Sequence, residues 1–309
     1  MEAKSQIESC MLPVSHPELA ARATFNLQPP TFNRRRAFTL IELLVVISIM
    51  GLLAAFAVPA LKSLGKSNIQ VSAARQLLDD VGRARQLAIS QHTTVYMVFI
   101  RTNFWMAPGL PLNNSWWNSL TPAQLNVLTN LCDRQLTGYN FVSLRSVGDQ
   151  PGRGRRRYLG DWQTLPEGVF IAQQKFQLAP NNYYSIAAYN PNVRIYGFNT
   201  NYSIPFPTAD SLSGSDAHVH FYQPYIAFNY LGQLTVDGQN LAALDEYIPL
   251  AQGSVLPVIN GGKKTYVVGA GNAPSVSEVP PGNSTNSMYN LIHIDRLTGR
   301  ATLEYQKVQ

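Results

Sequence analysis

The sequence predicts an α+β fold: one long N-terminal α-helix packed on a largely antiparallel β-sheet domain. Two observations predict it. Apolar side chains between residues 69 and 88 recur at steps of three or four, which is typical of a helix with one buried face. From about residue 168 the chain contains successive short apolar runs that are separated by turn residues, with no amphipathic helix between them. Without crossover helices, consecutive strands are expected to pair antiparallel.

Composition narrows the class of protein. The chain has 309 residues, and charged residues make up 14% of them, against about 25% in an average soluble domain. Uncharged polar side chains replace them, which favours an exported β-rich protein over a cytosolic enzyme. The net charge of +6 is too weak by itself to indicate a nucleic-acid partner. Only two cysteines occur, Cys10 and Cys132, and two cysteines make no metal site.

The first element is an apolar run that begins just after three arginines. Residues 43–61 form a stretch without charged side chains. Its length is about that needed to cross a hydrocarbon core. Arginines at 34–36 would stay in the cytoplasm, with the C-terminal bulk outside. Glu42 lies near the start of this run, where an ionised side chain costs about 2.5–3.5 kcal/mol unless it has a partner.

Three interpretations compete for this segment. A secretory signal peptide would end at the small-x-small sequence 55–57. A single-pass anchor explains the length but leaves Glu42 unexplained. The third interpretation is cleavage between Ala37 and Phe38, which creates an α-ammonium group four residues before Glu42. Paired charges are tolerated in lipid where single ones are not.

The pattern beyond the apolar run favours the third interpretation, because a signal peptide gives no reason for a helix to continue. One helix is predicted from about Phe38 to about Gln91. Its half over 38–61 is apolar all round and its half over 62–92 is amphipathic, with Pro59 predicted to kink it. The periodic residues of the second half are Ile69, Ala73, Leu77, Val81, Ala84, Leu87 and Ala88.

"RRRAFTLIELLVVISIMGLLAAFAVPAL" (34–61) resembles the prepilin cleavage and methylation motif of type IV pilins and type II secretion pseudopilins. The resemblance implies a pilin-like fold and a leader, residues 1–37, that prepilin peptidase removes. It also implies that the enzyme methylates the new amine of Phe38, and that Glu42 pairs with this amine, in cis or on a neighbouring subunit. Ala37 stands where the family usually has glycine. The leader is long for the family.

The remaining chain, 93–309, is predicted to be the globular domain. It begins with the strand-like run "TTVYMVFI" (93–100), and this junction resembles that of GspH/FimT-like minor pseudopilins. Residues 103–164 are predicted to be an irregular insertion that contains one short helix over 121–136. Hairpins are predicted at 228–234 and 294–303, each with a glycine in the turn. The six strand-like segments that follow the insertion are 168–174, 192–199, 218–236, 246–259, 264–270 and 290–306.

Few residues suggest a catalytic or metal-binding role. His218 and His220 lie on one face of a strand, but without a third spaced ligand they favour a strand surface over a metal site. Asp245 and Glu246 are adjacent, so they would point to opposite faces of a strand and form no catalytic pair. No nucleophile or phosphate-cradling motif occurs. We therefore expect neither an enzyme nor a cofactor.

Two groups of arginines suit phosphate contact. "GRGRRR" (152–157) is a compact basic loop, although the modest net charge favours a solvated surface loop over a phosphate contact. A second pair flanks the last predicted hairpin turn; in DNA-uptake minor pilins of the FimT type, arginines near the C-terminus are implicated in DNA capture. The residues are Arg153, Arg155, Arg156, Arg157, Arg296 and Arg300.

The sequence thus predicts a structural subunit of a filament, preferably a minor GspH-like pseudopilin of a type II secretion system. Its expected partners are prepilin peptidase, other pilins or pseudopilins and, before assembly, inner-membrane lipid. The expected topology is single-pass, with the C-terminal domain in the periplasm. The alternatives are a DNA-binding minor pilin and a secreted protein with a cleaved signal peptide.

Overall fold

A computed structural model gives the fold of this chain, and it forms two compact units, Met1–Ala55 and Phe56–Gln309. The structure describes residues 38–106, 121–143, 145, 148–149, 157–186, 193–205, 220–258, 273–285 and 290–305.

The described part of the chain contains three α-helices and fifteen strands. The helices are α1 (Leu40–Ser90), α2 (Pro122–Cys132) and α3 (Gln173–Gln177). The strands are β1 (Val95–Phe99), β2 (Gly138–Ser143), β3 (Arg157–Tyr158), β4 (Gln163–Thr164), β5 (Val169–Ile171), β6 (Tyr183–Ser185), β7 (Arg194–Tyr196), β8 (Ser203–Pro205), β9 (His220–Tyr222), β10 (Tyr225–Phe228), β11 (Leu234–Thr235), β12 (Glu246–Leu256), β13 (Ser275–Glu278), β14 (Asn290–Ile294) and β15 (Ala301–Tyr305).

Helix α1 confirms the predicted long N-terminal helix, and its bounds lie within two residues of those expected. It ends in a Schellman motif, in which the N–H of Thr93 donates to the carbonyl oxygen of Ala88 and that of His92 donates to Ile89. His92 has a φ of 49°, the left-handed conformation that this cap requires. The cap turns the chain directly into β1.

A six-stranded sheet runs in the order β11-β10-β1-β2-β3, with β4 also paired to β2. Strand β2 corrects the prediction that residues 103–164 are irregular apart from one short helix, because it pairs along the whole length of β1. All six residues of β2 are buried, so the segment shows none of the apolar–polar alternation by which a half-buried strand is recognised. The predicted short helix of this segment is confirmed as α2.

A five-stranded sheet runs in the order β13-β12-β14-β15, with β5 also paired to β12. Two further pairs, β6–β7 and β8–β9, form small separate sheets. Every strand pair in the described residues is antiparallel, as predicted. Both glycine-turn hairpins are confirmed, as β10–β11 and β14–β15. The predicted strand over 264–270 lies outside the described residues.

The core joins the amphipathic half of α1 to both large sheets. Six residues of that half are completely buried: Ala73, Ala74, Leu77, Val81, Ala84 and Ala88. They share one cluster with side chains from β1, β2, β10, β12 and β14. Four of the six are alanines, whose small side chains let the strands approach the helix closely. The burial confirms the amphipathic pattern from which this half of the helix was predicted.

Candidate functional site

The start of α1 is a reciprocal cap between Thr39 and Glu42. The N–H of Glu42 donates to Oγ1 of Thr39 over 3.2 Å. The N–H and the hydroxyl of Thr39 each donate to Oε2 of Glu42 over 3.4 Å. This is the capping-box arrangement, which satisfies N–H groups that the first helical turn otherwise leaves without partners.

This cap gives Glu42 a role within its own chain that the sequence analysis missed. The signal was present, because a threonine followed three residues later by glutamate before an apolar run predicts a helix start. The cap holds the carboxylate at the N-terminal end of the helix, where the helix dipole favours negative charge. Pairing of Glu42 with the amine of Phe38 stays a prediction, since that amine exists only after cleavage. Ala37 lies outside the described residues.

The first part of α1 presents apolar side chains to solvent on every side. We call residues 38–56 the apolar segment, and all of its residues are exposed. Phe38 and Phe56 expose 75% and 74% of their surface. The other large apolar side chains that are exposed here are Leu40, Ile41, Leu43, Leu44, Val45, Val46, Ile47, Ile49, Met50, Leu52 and Leu53. A continuous apolar surface of this extent marks a contact with protein or lipid.

Two further results concern the same helix. Among the described residues, no helix is both long and apolar enough to cross a membrane. Pro59 lies inside α1, which continues on both sides of it. The predicted kink at Pro59 stays a prediction.

In the second half of α1, polar side chains fix the helix against the six-stranded sheet. Nε2 of Gln76 donates to the hydroxyl of Tyr139 over 2.9 Å and to the carbonyl oxygen of Thr164 over 3.0 Å. The Tyr139 hydroxyl in turn donates to Asp80. Burial and the neighbouring Asp80 carboxylate raise the pKa of Tyr139, so this hydroxyl stays protonated.

Arg85 joins α1 to the turns of both hairpins. Its Nε donates to the carbonyl oxygens of Thr298 over 2.7 Å and Gly232 over 3.2 Å. The two turns also touch each other: a Cβ placed on Gly299 would lie 1.9 Å from the carbonyl oxygen of Gly232. The φ angle is positive at both positions, 78° at Gly232 and 63° at Gly299. The close contact and the left-handed backbone are therefore two separate reasons for glycine at these positions.

The predicted arginine pair lies on one of these turns, but carboxylates accompany it. Arg296 donates from Nη1 to the carbonyl oxygen of Ala243 over 2.6 Å, and its N–H donates to Asp245 over 2.9 Å. Asp295 accepts the N–H groups of the turn, and these bonds lower its pKa. Arg300 is exposed at the end of the same turn. Two carboxylates beside two arginines leave this turn close to neutral.

The other predicted positions are not brought together. Arg157 is exposed at the start of β3, and Arg153, Arg155 and Arg156 lie outside the described residues. The same holds for His218, and the side chain of His220 is not described. Within the part of the chain that the structure describes, no group of three or more His, Cys, Asp or Glu residues is placed to hold a metal ion.

The globular domain contains a buried ion pair that no sequence pattern predicted. Lys175 is completely buried, pairs with Glu246, and donates from Nζ to the carbonyl oxygen of Tyr196 over 2.6 Å. Its ammonium nitrogen lies 4.7 Å from the centre of the Phe198 ring. Burial lowers the pKa of Lys175 and raises that of Glu246, and their mutual attraction opposes both shifts. Because the ammonium donates to two partners inside the fold and lies over an aromatic ring, the pair serves structure.

Comparison with known families gives a match at the start of α1. Residues 32–58 match the profile described as "Prokaryotic N-terminal methylation motif". The match supports a type IV pilin-like chain that prepilin peptidase processes, and it covers both the predicted cleavage site and the cap. No curated protein matches the chain, and no solved structure does either.

Proposed function

We propose that this chain is a structural subunit, a minor GspH-like pseudopilin, of a type II secretion pseudopilus or a related type IV pilus-like filament. One observation carries the proposal. The methylation motif over 32–58 coincides with a capped helix start, and a fully exposed apolar segment follows directly. The large globular domain suits a low-copy subunit better than one packed thousands of times.

Membrane insertion comes first in this proposal. Residues 43–61 carry no charge, and the arginines at 34–36 hold the leader in the cytoplasm. The precursor is then a single-pass inner-membrane protein with its globular domain in the periplasm. Prepilin peptidase cuts between Ala37 and Phe38 and methylates the new amine of Phe38.

Assembly then transfers the apolar segment from lipid to protein. Equivalent faces that pack head to tail generate an open filament rather than a closed ring. Inside such a filament, the Glu42 carboxylate pairs with the amine of Phe38 of its own or a neighbouring subunit. The capping box supports this role, because it already holds the carboxylate at the helix end where that amine would lie. The charge pair would then set the axial register.

The first experiment is N-terminal sequencing, with mass spectrometry, of the chain recovered from membranes that contain prepilin peptidase. We expect a start at N-methylated Phe38. A start at Val58 would identify a secreted protein with an ordinary signal peptide and would overturn the proposal. Ala37→Gly, which restores the residue usual in the family, serves as the matched control and should be cleaved at the same bond.

The second experiment separates the charge of Glu42 from its capping role. Glu42→Leu should insert and be cleaved but fail to assemble. Glu42→Gln keeps a side-chain acceptor for the cap and loses only the charge, so it should fail in the same way. Electron microscopy of sheared filaments measures assembly. Normal filaments from Glu42→Gln would show that the cap, and not the charge, is what assembly needs.

A DNA-binding minor pilin is the second candidate, favoured by the position of Arg296 and Arg300 on a single turn. Asp245 and Asp295 weigh against it, because they offset the positive charge there. A DNA gel shift with the full chain at increasing salt tests it. Binding that falls with salt and is lost when the six predicted arginines are changed to alanine would favour uptake over secretion.

A further inference from the structure

His293 lies between two carboxylates on the five-stranded sheet. Its Nε2 is 3.1 Å from Oδ2 of Asp245, and its Nδ1 is 2.9 Å from Oε1 of Glu304. Asp245 directly precedes β12 and Glu304 lies on β15, so the ring connects the two strands that flank β14. We call these three residues the His293 cluster.

The register of the sheet brings the cluster together. His293 is opposite Tyr247 on β12 and opposite Thr302 on β15. Alternation along β14 directs His293 away from Ile292 and Ile294, which lie in the core cluster shared with α1. The ring of Tyr247 stacks on the imidazole, with ring centres 4.6 Å apart and planes 8° apart. The imidazole is therefore held in one orientation, with each nitrogen directed at a carboxylate.

Two acceptors at one imidazole require two protons on it. An ionised carboxylate only accepts hydrogen bonds, whereas a neutral imidazole has one N–H and one lone pair. A neutral ring could donate to Asp245 or to Glu304, and its other nitrogen would then face a carboxylate lone pair to lone pair. Only the imidazolium donates to both. The geometry of the His293 cluster therefore fits the protonated ring.

The cluster is partly shielded from water. The side chains of His293, Asp245 and Glu304 expose 21%, 34% and 29% of their surface. Partial burial strengthens the attraction between the charges, because water and salt screen it less. Burial and the two nearby carboxylates raise the pKa of Tyr247, so its hydroxyl stays neutral beside the ring. Solvent still reaches the imidazole, which allows it to exchange its proton.

Other titratable groups surround the cluster, and two of them are arginines that are directed elsewhere. Arg296 directs its guanidinium to the carbonyl oxygen of Ala243 and gives Asp245 only its backbone N–H. Arg194 on β7 lies over the ring of Tyr183, 4.7 Å from its centre. The remaining described groups on the neighbouring elements are Glu246 (paired with Lys175), Asp295, Arg300, Tyr184 and Tyr196.

We propose that the His293 cluster is a pH-sensitive clamp on the C-terminal hairpin β14–β15. The protonated ring ties Asp245, at the start of β12, to Glu304, near the end of β15. Loss of the proton releases one of the two carboxylates. Histidine is the side chain that ordinarily changes charge between about pH 5 and 8. The clamp goes beyond the proposed filament function and does not depend on it, because it acts within one globular domain.

The direction of the pH effect follows from the contacts of each form. In the folded chain the imidazolium donates to two carboxylates, whereas in the unfolded chain it donates to water. Protonation therefore favours the folded hairpin, and this contribution is lost as pH rises through the titration of His293. At strongly acid pH the contribution falls again, because Asp245 and Glu304 then take up protons.

The clamp acts on the hairpin that contacts α1 through Arg85. Among the described residues, β15 pairs with β14 alone. The turn between these strands supplies the carbonyl oxygen of Thr298 to Arg85 and that of Arg296 to the N–H of Leu234. Opening of the clamp should therefore loosen β15 and this turn before the rest of the domain.

Hydrogen exchange of the full chain in detergent tests the clamp from about pH 5.5 to 8.5, which brackets ordinary histidine titration. Protection factors correct for the intrinsic exchange rate at each pH. As pH rises, they should fall several-fold at the amides of β15 and stay constant at those of β1 and β2. Nitrogen NMR of the histidine rings should show both nitrogens of His293 protonated at the acid end.

Two substitutions separate His293 from other titrating groups. His293→Gln does not titrate, so its β15 protection should be low and independent of pH across this range. His92→Asn is the matched control, since it removes an exposed histidine and asparagine tolerates the positive φ at this cap. It should keep the full pH response of the native chain.

Charge removal at the partner gives a second measurement. Glu304→Gln keeps an acceptor oxygen but loses the charge, so the NMR titration of His293 should move to lower pH and the change in β15 protection should shrink. Glu167→Gln, on an exposed residue outside the cluster, should alter neither. This pair also tests the clamp if His293→Gln fails to fold.

Three results would overturn the proposal. The first is β15 protection that stays constant across the pH range in the native chain. The second is an equal pH response in His293→Gln, which would assign the effect to other groups. The third is an unchanged titration of His293 in Glu304→Gln, which would show that the carboxylate does not hold the proton on the ring.

Discussion

The two halves of α1 share one secondary structure but differ completely in what covers them. Every residue over 38–56 is exposed, whereas the half over 62–92 buries six residues completely beneath two sheets. Most helical stability in proteins comes from packing of an apolar face rather than from intrinsic propensity. The second half has that packing inside its own chain. The apolar side chains of the first half are exposed, and we propose that lipid or other subunits cover them.

The amino-acid composition differs between the two halves of α1. The apolar segment carries leucine, isoleucine and valine on all sides. The second half places alanines on its buried face and uses Gln76, Asp80 and Arg85 to bond specific groups of the domain. The first half is therefore suited to apolar surroundings, and the second to one fixed partner inside its own chain.

The largest expected effect comes from shortening a buried side chain in the second half. Leu77→Ala should lower the free energy of unfolding of the globular domain by about 2–5 kcal/mol, because it leaves a cavity in the core. Leu44→Ala, its match in the apolar segment, should change that free energy by no more than about 0.5 kcal/mol. Urea unfolding of the detergent-solubilised chain, followed by tryptophan fluorescence, measures both. Equal effects would show that the apolar segment also packs on its own domain.

The Arg85 contact should follow in size. Arg85→Met keeps an unbranched apolar stem but removes the donor to Gly232 and Thr298, and we expect a loss of about 2 kcal/mol in unfolding free energy. Arg75→Met is the control, since Arg75 is exposed and has no partner among the described residues. The same urea titration measures the unfolding free energy of both variants. A loss as large in Arg75→Met would assign the effect to helix propensity instead.

Loss of the cap should act on the first half alone. Thr39→Ala should destabilise the start of α1 by about 1 kcal/mol, while Thr39→Ser keeps the hydroxyl and should have little effect. Hydrogen exchange in detergent should show faster exchange at Ile41 and Glu42. The urea midpoint of the globular domain should not move; a shift there would contradict the separation of the two halves.

The smallest effect concerns pH and the last hairpin turn. Hydrogen bonds from Thr298 and Leu297 lower the pKa of Asp295, so its contribution to stability is present above its ordinary pKa and is lost as pH falls through the lowered value. Asp295→Asn keeps the acceptor oxygen but does not titrate. Its urea midpoint should therefore change less between pH 6 and pH 3 than that of the native chain. An identical change would remove Asp295 from the acid response.

Sequence reasoning recovered the features with a local signal. Apolar residues at steps of three or four predicted that α1 continues beyond the apolar run, and a glycine in the turn of a strand-like run predicted each hairpin. The capping box was also readable from Thr39 and Glu42, although only the carboxylate was noticed. Each of these signals lies within a few neighbouring residues, which is why sequence alone carries them.

Features that depend on distant partners were not recoverable. Strand β2 is buried on both faces, so no alternation marks it. Lys175 is buried because Glu246, 71 residues away, pairs with it. Arg85 resembled any other polar residue of an amphipathic helix, and only the fold reveals that its partners are turn carbonyls. The predicted cleavage before Phe38 is the opposite case, because its support lies wholly in the sequence motif.

The bond from Arg85 to Thr298 joins residues 213 positions apart in a chain of 309. A ribosome has therefore made nearly the whole polypeptide before α1 can gain this partner. Helix α1 is synthesised early, but its contact with Thr298 forms only after the β14–β15 turn has been made. During that interval, the six-stranded sheet can form, but the five-stranded sheet still lacks its last strands. Folding that depends on such distant contacts is slow. A truncation that removes only the β14–β15 hairpin would thus leave α1 without the hydrogen bond from Arg85 to Thr298.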